Sequence, residues 1–127
     1  MPSLPLVLIV DDSTTNRKLA RDVLQFAGFR TLEAGSAAEA IALASEHLPD
    51  VILMDLRLPD RDGIEVARNL RSDPRTSGIP VVALTALPVD AHDEWLLDAG
   101  FAGAIVKPFD TDDFPGLVRA FSAREPE

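Results

Sequence analysis

Aspartate side chains stand directly after two apolar runs of this 127-residue sequence and are its first candidates for chemistry. Asp11 and Asp12 follow the run Leu6–Val10. Asp55 follows the apolar residues 51–54 and precedes a loop rich in Pro, Asp and Gly. Such runs predict strands buried on both faces, and open α/β sheets bind ligands at the carboxyl ends of their strands. We therefore predict that Asp55 is the reactive residue, with Asp11 and Asp12 beside it.

Further polar residues follow predicted strands later in the chain. Thr85 ends the run of residues 80–85, and Lys107 follows residues 104–106. Each could be an ordinary loop residue or helix cap, but the same pattern at four strand ends is more specific than any one of them. Asp60 and Asp62 add acid near Asp55, which suits a hard cation, although both could equally be turn formers and caps.

Strands and helices alternate five times along the sequence, which predicts an α/β protein with a parallel sheet. Short connections and right-handed crossovers favour a doubly wound, five-stranded, flavodoxin-like (βα)5 fold with strand order 2-1-3-4-5. The first and third strands are then neighbours, so the three aspartates converge in one crevice. The predicted strands cover residues 6–10, 30–34, 51–54, 80–85 and 104–106, the second of them toward a sheet edge.

The first helix is predicted to begin near residues 13–15 and to end at Gly28. Its apolar residues recur at helical spacing, so one face is expected to pack on the sheet. This face is formed by Leu19, Val23, Phe26 and Ala27.

Composition limits the classes of function. With 46% hydrophobic and 26% charged residues, we predict one globular domain over residues 1–127, with its core at about 5–122 and a short polar tail. The formal net charge of −9 argues against nucleic-acid binding, which depends on clustered Lys and Arg. The chain has no cysteine and no apolar run near the roughly 20 residues of a membrane span. We expect a cytoplasmic protein.

Three carboxylates in one crevice repel each other, and a divalent cation relieves that repulsion. Mg²⁺ fits best, because it binds a few carboxylates and keeps waters that a phosphate oxygen can replace. An aspartate beside such an ion can attack phosphorus and form an acyl phosphate. Lys107 can neutralise charge on the transferring group, and the Thr85 hydroxyl can donate a hydrogen bond to it. The pattern thus predicts that Asp55 is phosphorylated.

Four motifs carry a resemblance to a known family: Ile-Val-Asp-Asp at 9–12, Leu-Met-Asp-Leu-Arg-Leu-Pro at 53–59, Ala-Leu-Thr-Ala at 83–86 and Val-Lys-Pro-Phe at 106–109. In this order they resemble the receiver domain of two-component response regulators, in the CheY-like superfamily. The resemblance covers about residues 5–122 and is closest to single-domain regulators of the DivK and CheY type. It implies a stand-alone phosphorelay switch, not an enzyme beyond slow self-phosphorylation and autodephosphorylation.

The resemblance also implies a role for each matching acidic residue. Asp55 matches the phosphoacceptor, which takes its phosphoryl group from a sensor histidine kinase or a histidine phosphotransfer protein. Asp12 matches a direct ligand of Mg²⁺, and Asp11 matches an acid that holds the ion through water. Asp55 and the backbone carbonyl of Arg57 match the remaining protein ligands.

Two more roles are implied by the resemblance. Thr85 matches the switch hydroxyl that moves toward the phosphoryl group, and Lys107 matches the phosphate contact, often before a cis peptide at Pro108.

The signal would pass to a downstream protein through the face formed by the fourth helix, the fifth strand and the fifth helix. Ala104 stands where receivers usually carry an aromatic residue, so coupling of Thr85 to this face is an open question. Pro115 also falls within the predicted last helix.

Other classes of protein remain open at this point. A Mg²⁺-dependent phosphohydrolase with an aspartyl nucleophile usually has a second acid two residues later, where this chain has Arg57. A flavin carrier shares the predicted fold but does not account for Asp11, Asp12 and Lys107. A receiver fragment of a hybrid kinase and a degenerate scaffold are the remaining alternatives.

Trp95 and the two histidines are less informative. Trp95 could pack half-buried on a neighbouring helix or anchor a partner protein. His47 and His92 have no companions at metal-ligand spacing and are expected at the surface.

Overall fold

The computed structural model describes residues 4–56, 58, 60, 62–85, 94–106 and 112–122, with only the backbone at 94, 95, 97, 106 and 122. Arg57, Lys107, Pro108 and His92 lie outside the described residues, as does the side chain of Trp95. The predictions for these residues therefore stay predictions.

A five-stranded parallel sheet with the order β2-β1-β3-β4-β5 forms the centre of the described chain. This confirms the predicted doubly wound, flavodoxin-like architecture, including the edge position of the second strand. Each strand is followed by a helix. The elements are β1 Leu6–Val10, α1 Thr14–Phe26, β2 Arg30–Ala34, α2 Ala37–His47, β3 Val51–Asp55, α3 Gly63–Ser72, β4 Val81–Thr85, α4 Glu94–Ala99, β5 Gly103–Val106 and α5 Phe114–Ser122.

The sheet separates two hydrophobic clusters. Side chains alternate across a strand, so Val7 and Ile9 of β1 pack in the cluster that includes α1 and α5. Leu8 and Val10 pack on the opposite side, in the cluster that includes α2, α3 and α4. All four are fully buried, which explains why β1 is continuously apolar.

The predicted apolar face of α1 is partly wrong. Leu19 is 47% exposed and Phe26 is 96% exposed, whereas Ala20 and Leu24 are buried against the sheet. Val23 and Ala27 are partly buried against the same cluster, so this part of the predicted face is right. Leu19 and Phe26 are seven residues apart and share one side of the helix, which faces away from the sheet because the packed face centres on Ala20 and Leu24.

Local signals set the helix ends much as expected. Ser13 caps α1 by accepting a hydrogen bond from the Asn16 N–H, and Gly28 leaves the helix with φ of +99°. Ser36 caps α2 in the same way, through the Glu39 N–H. His47 at the end of α2 is exposed, as predicted. Among the described residues, no helix has the length and apolar character needed to cross a membrane.

Candidate functional site

Asp11, Asp12 and Asp55 meet at the carboxyl edge of β1 and β3. The register pairs Val10 with Met54, so Asp11 and Asp55, which follow them in the chain, lie side by side. One carboxylate oxygen from each aspartate lies within 4.8 Å of the other two. Asp11 is 2% exposed, Asp55 is half-buried and Asp12 is open to solvent. The three carboxylates therefore converge, in a crevice that is open to solvent on the side of Asp12.

On the β1 side, Asp11 is held through its N–H, its carboxylate and its carbonyl. The N–H donates to the carbonyl of Ala34 at 3.1 Å, which extends the pairing with β2. The carboxylate oxygen Oδ1 accepts from the Ser13 N–H at 2.9 Å. The carbonyl oxygen accepts from Nη1 of Arg17 at 2.7 Å. The buried Asp11 thus has a fixed backbone and a carboxylate aimed along the start of α1.

On the β3 side, α3 begins directly against the backbone of Asp55. The Gly63 N–H donates to the carbonyl of Leu56 at 3.1 Å. A Cβ atom at Gly63 would lie 2.6 Å from the carbonyl oxygen of Asp55 and 2.9 Å from Cα of Leu56. Glycine is therefore required here for close approach of two backbone segments.

The loop between β3 and α3 is fastened to two helices by carboxylates. Asp60 accepts hydrogen bonds from the N–H groups of Ala37 and Ala38, at 2.8 and 3.2 Å, and so binds the first turn of α2. Asp62 caps α3 by accepting from the Ile64 N–H at 2.8 Å. Both aspartates act as caps, one of the two possibilities left open by the sequence, and neither belongs to the convergent three.

Thr85 lies at the carboxyl end of β4, beside the strand that carries Asp55. Asp55 pairs with Leu84, so Asp55 and Thr85 are the last residues of neighbouring strands. Thr85 is buried. Ala104 is half-buried and lies opposite Ala83, inside β5. The structure thus brings Thr85 to the same edge of the sheet as the aspartates.

Sequence reasoning missed Arg17 as part of this site. Arg17 lies one turn into α1 and reaches back to the carbonyl of Asp11. The position of Arg17 soon after Asp12 in the sequence indicates this contact only weakly, because an arginine on a helix surface usually lies in solvent. The contact depends on how α1 crosses β1, which no local pattern encodes.

A groove of about 470 Å³ lies elsewhere, between α1 and the segment that enters α5. None of the three convergent aspartates lines it. Its lining is formed by Asp22, Val23, Phe26, Ala27, Asp112 and Pro115.

Known proteins resemble this chain in sequence and in fold. The family model of the response regulator receiver domain matches residues 7–119. The polar-differentiation response regulator DivK of Brucella ovis is 37% identical over 115 residues, which cover 91% of this chain and 94% of that protein. The DivK of Brucella anthropi is 36% identical over the same length.

Solved structures agree with these relatives. The chemotaxis protein CheY4 of Vibrio cholerae superposes with a TM-score of 0.86 at 28% identity, covering 93% of this chain and 98% of that one. The receiver domain of a sensor histidine kinase from Pseudomonas aeruginosa has a TM-score of 0.84 at 28% identity, covering 94% and 98%, and holds a magnesium ion in its active-site cleft. This chain therefore belongs to the response regulator receiver domain family of two-component signal transduction.

Proposed function

We propose that this receiver is a phosphoacceptor switch in which Asp55 carries the phosphoryl group and Mg²⁺ is the cofactor. The observation that carries the proposal is the meeting of Asp11, Asp12 and Asp55 within 4.8 Å, in a chain of the receiver family. Asp12, Asp55 and the backbone carbonyl of Arg57 would bind the ion directly, and Asp11 through water.

The three carboxylates fit a small, hard cation. Mg²⁺ accepts oxygen ligands and keeps part of its water shell, and solvent-exposed Asp12 leaves room for those waters. When bound, the ion neutralises negative charge on the carboxylates and on the phosphoryl oxygens. Without a cation, three converging negative charges would also oppose the approach of a phosphate.

Phosphoryl transfer requires one new bond and one broken bond. A carboxylate oxygen of Asp55 attacks phosphorus of a phosphohistidine, the P–N bond breaks, and the histidine leaves with the electron pair. The product is an acyl phosphate on Asp55. The Thr85 hydroxyl donates a hydrogen bond to a phosphoryl oxygen, and Lys107 places its positive charge beside the same phosphoryl group. Water later attacks phosphorus, the bond between phosphorus and the Asp55 oxygen breaks, and inorganic phosphate leaves Asp55 as a carboxylate.

Signalling would follow from a shift between two arrangements of the receiver. The phosphoryl group stabilises the arrangement in which Thr85 contacts it, so that arrangement becomes the more populated. The altered surface is the face of α4, β5 and α5, which binds a downstream protein. Ala104 lacks the ring that reports this change in many receivers, so movement of α4 itself carries the signal here.

The receiver family supports a general class of partner for this protein. A sensor histidine kinase or a histidine phosphotransfer protein supplies the phosphoryl group, and no nucleic acid is needed for output. Matching 94% of DivK supports a stand-alone regulator with a single receiver domain, whereas the kinase receiver from Pseudomonas shows that the same fold also serves inside a kinase. We expect the protein in the cytoplasm.

Intact mass after incubation with acetyl phosphate and Mg²⁺ tests the proposal. Wild type should gain one phosphoryl group, whereas Asp55→Asn and wild type without Mg²⁺ should gain none. Slow self-phosphorylation and slow loss of the adduct are expected. Wild type that gains no phosphoryl group from acetyl phosphate or from a histidine kinase would contradict the proposal. Sustained phosphate release over many turnovers would instead favour a phosphohydrolase.

A further inference from the structure

We propose that Arg17, braced by Glu33, is a positioning residue for the magnesium site. Neither side chain is one of the three converging carboxylates. The inference rests on the proposed role of those carboxylates in binding Mg²⁺. Arg17 and Glu33 lie outside the receiver motifs, and they set the affinity of the carboxylates for the ion.

The guanidinium of Arg17 links α1, which carries it, to β1 and β2. Its Nη1 donates to the carbonyl oxygen of Asp11 at 2.7 Å, at the end of β1. Its Nε lies 3.4 Å from Oε1 of Glu33 on β2. The Arg17 side chain is only 19% exposed, and that of Glu33 is 29% exposed. A planar fork of donors suits two acceptors at fixed angles, so Glu33 sets the direction in which Nη1 points.

The surroundings leave the guanidinium little freedom. A Cβ atom at position 35 would lie 3.0 Å from Nη1 of Arg17, so Gly35 provides the space that the group occupies. The Gly35 N–H donates to Oε1 of Glu39 at 3.0 Å, which places a second carboxylate near this position. Arg17 is thus confined between β1, β2 and the start of α2.

The contacted carbonyl belongs to the peptide that joins Asp11 to Asp12. Rotation of this peptide would move the Asp12 carboxylate relative to the other two. The N–H of Asp11 is already held by Ala34, and Arg17 holds the carbonyl on the other side of the residue. Hydrogen bonds with a charged donor are roughly twice as strong as neutral ones, so this contact can fix the orientation.

Arg17 could affect Mg²⁺ binding through its charge or by positioning Asp12, and the two roles predict opposite changes in the Kd when Arg17 is removed. A guanidinium near the carboxylates repels a divalent cation, so its removal should strengthen Mg²⁺ binding if charge alone matters. If Arg17 positions Asp12, its removal should weaken Mg²⁺ binding despite the lost repulsion.

Arg21 offers a matched control. It lies one turn further along α1 and contacts the other oxygen of Glu33, with Nη1 3.4 Å from Oε2. Arginine side chains are positively charged at neutral pH, and a hydrogen bond to Asp22 raises the pKa of Arg21 further. The described contacts of Arg21 do not include the Asp11 carbonyl, so Arg21→Ala removes the same charge without removing that bond.

The experiment is calorimetric titration of the full chain with MgCl₂, with urea unfolding of each variant in the absence of metal. We expect Arg17→Ala to raise the Kd for Mg²⁺ about ten-fold and Arg21→Ala to change it less than about two-fold. Glu33→Gln should raise the Kd by a few-fold. A purely structural role would lower stability in both arginine variants without separating their Kd values.

An unchanged or lower Kd in Arg17→Ala would overturn the inference and leave the proposed function intact. Wild type that does not bind Mg²⁺ would overturn both. If Arg17→Ala does not fold, Arg17→Lys serves instead, because it keeps the charge but lacks the fork. A Kd raised several-fold in Arg17→Lys supports positioning, and a wild-type Kd overturns it.

Discussion

The two strands that supply the acidic site hold their aspartates by different means. On the β1 side, a side chain holds the backbone, because the guanidinium of Arg17 binds the carbonyl of Asp11. On the β3 side, backbone lies against backbone, because α3 begins at Gly63 with no room for a Cβ atom beside the Asp55 carbonyl. Contacts made by side chains can be weakened by degrees, whereas a filled space cannot accept another atom. The β3 side should therefore tolerate substitution less.

The β3 side also has a second tie, at the far end of its loop. Asp60 fastens the loop after Asp55 to the first turn of α2. Two contacts therefore hold Asp55 and its loop on the β3 side. One is the steric contact of Gly63 with the Asp55 backbone, and the other is the hydrogen-bonded contact of Asp60 further along the loop. Separate variants can test each contribution.

Gly63→Ala should have the largest effect. The new Cβ atom would meet the Asp55 carbonyl at 2.6 Å, and overpacking of this kind costs about 2–3 kcal/mol of the free energy of unfolding. A shift of Asp55 should also slow phosphorylation by at least about ten-fold. Urea unfolding and phosphorylation by acetyl phosphate measure both effects.

Gly78→Ala is the control for this variant. Apart from its two chain neighbours, nothing lies within 4 Å of the place that a Cβ atom would take at Gly78. The free energy of unfolding should therefore change by less than about 0.5 kcal/mol. Equal stability of the two alanine variants would contradict the steric account of the β3 side.

Asp60→Ala should have an intermediate effect. It removes the acceptor for two N–H groups of α2, and losses of this kind cost about 1–2 kcal/mol. Amide exchange at Ala37 and Ala38 should become faster. Asp60→Asn keeps one acceptor oxygen and should lose about half as much stability. Unchanged exchange at both amides in Asp60→Ala would show that the loop is held by other contacts.

Among the variants that change a contact of the site, Glu33→Gln should have the smallest effect on stability. Its side chain is 29% exposed and pairs with Arg17 and Arg21 at 3.4 Å, so we expect a loss of less than about 1 kcal/mol. The difference from wild type should shrink near 1 M salt, where the Debye length is about 3 Å. A loss larger than that of Gly63→Ala would reverse the comparison between the two sides.

Much of the fold could be predicted from local patterns. Continuous apolar runs indicated β1 and β3 because strands covered on both faces have no polar side to show. Ser13 and Gly28 marked the two ends of α1, since a capping hydroxyl and a positive φ are local requirements. The outward direction of Phe26 was missed, because the packed face of α1 centres on Ala20 and Leu24 and Phe26 lies on the other side of the helix.

The sequence by itself determined the strand order and the meeting of Asp11, Asp12 and Asp55, because parallel strands with short crossovers bring their carboxyl ends to one edge. Tertiary structure decided how these residues are held. Arg17 could have lain in solvent, and Asp60 could have joined the acidic site instead of capping α2. Both choices depend on distances between elements far apart in the chain, which residue type and spacing do not specify.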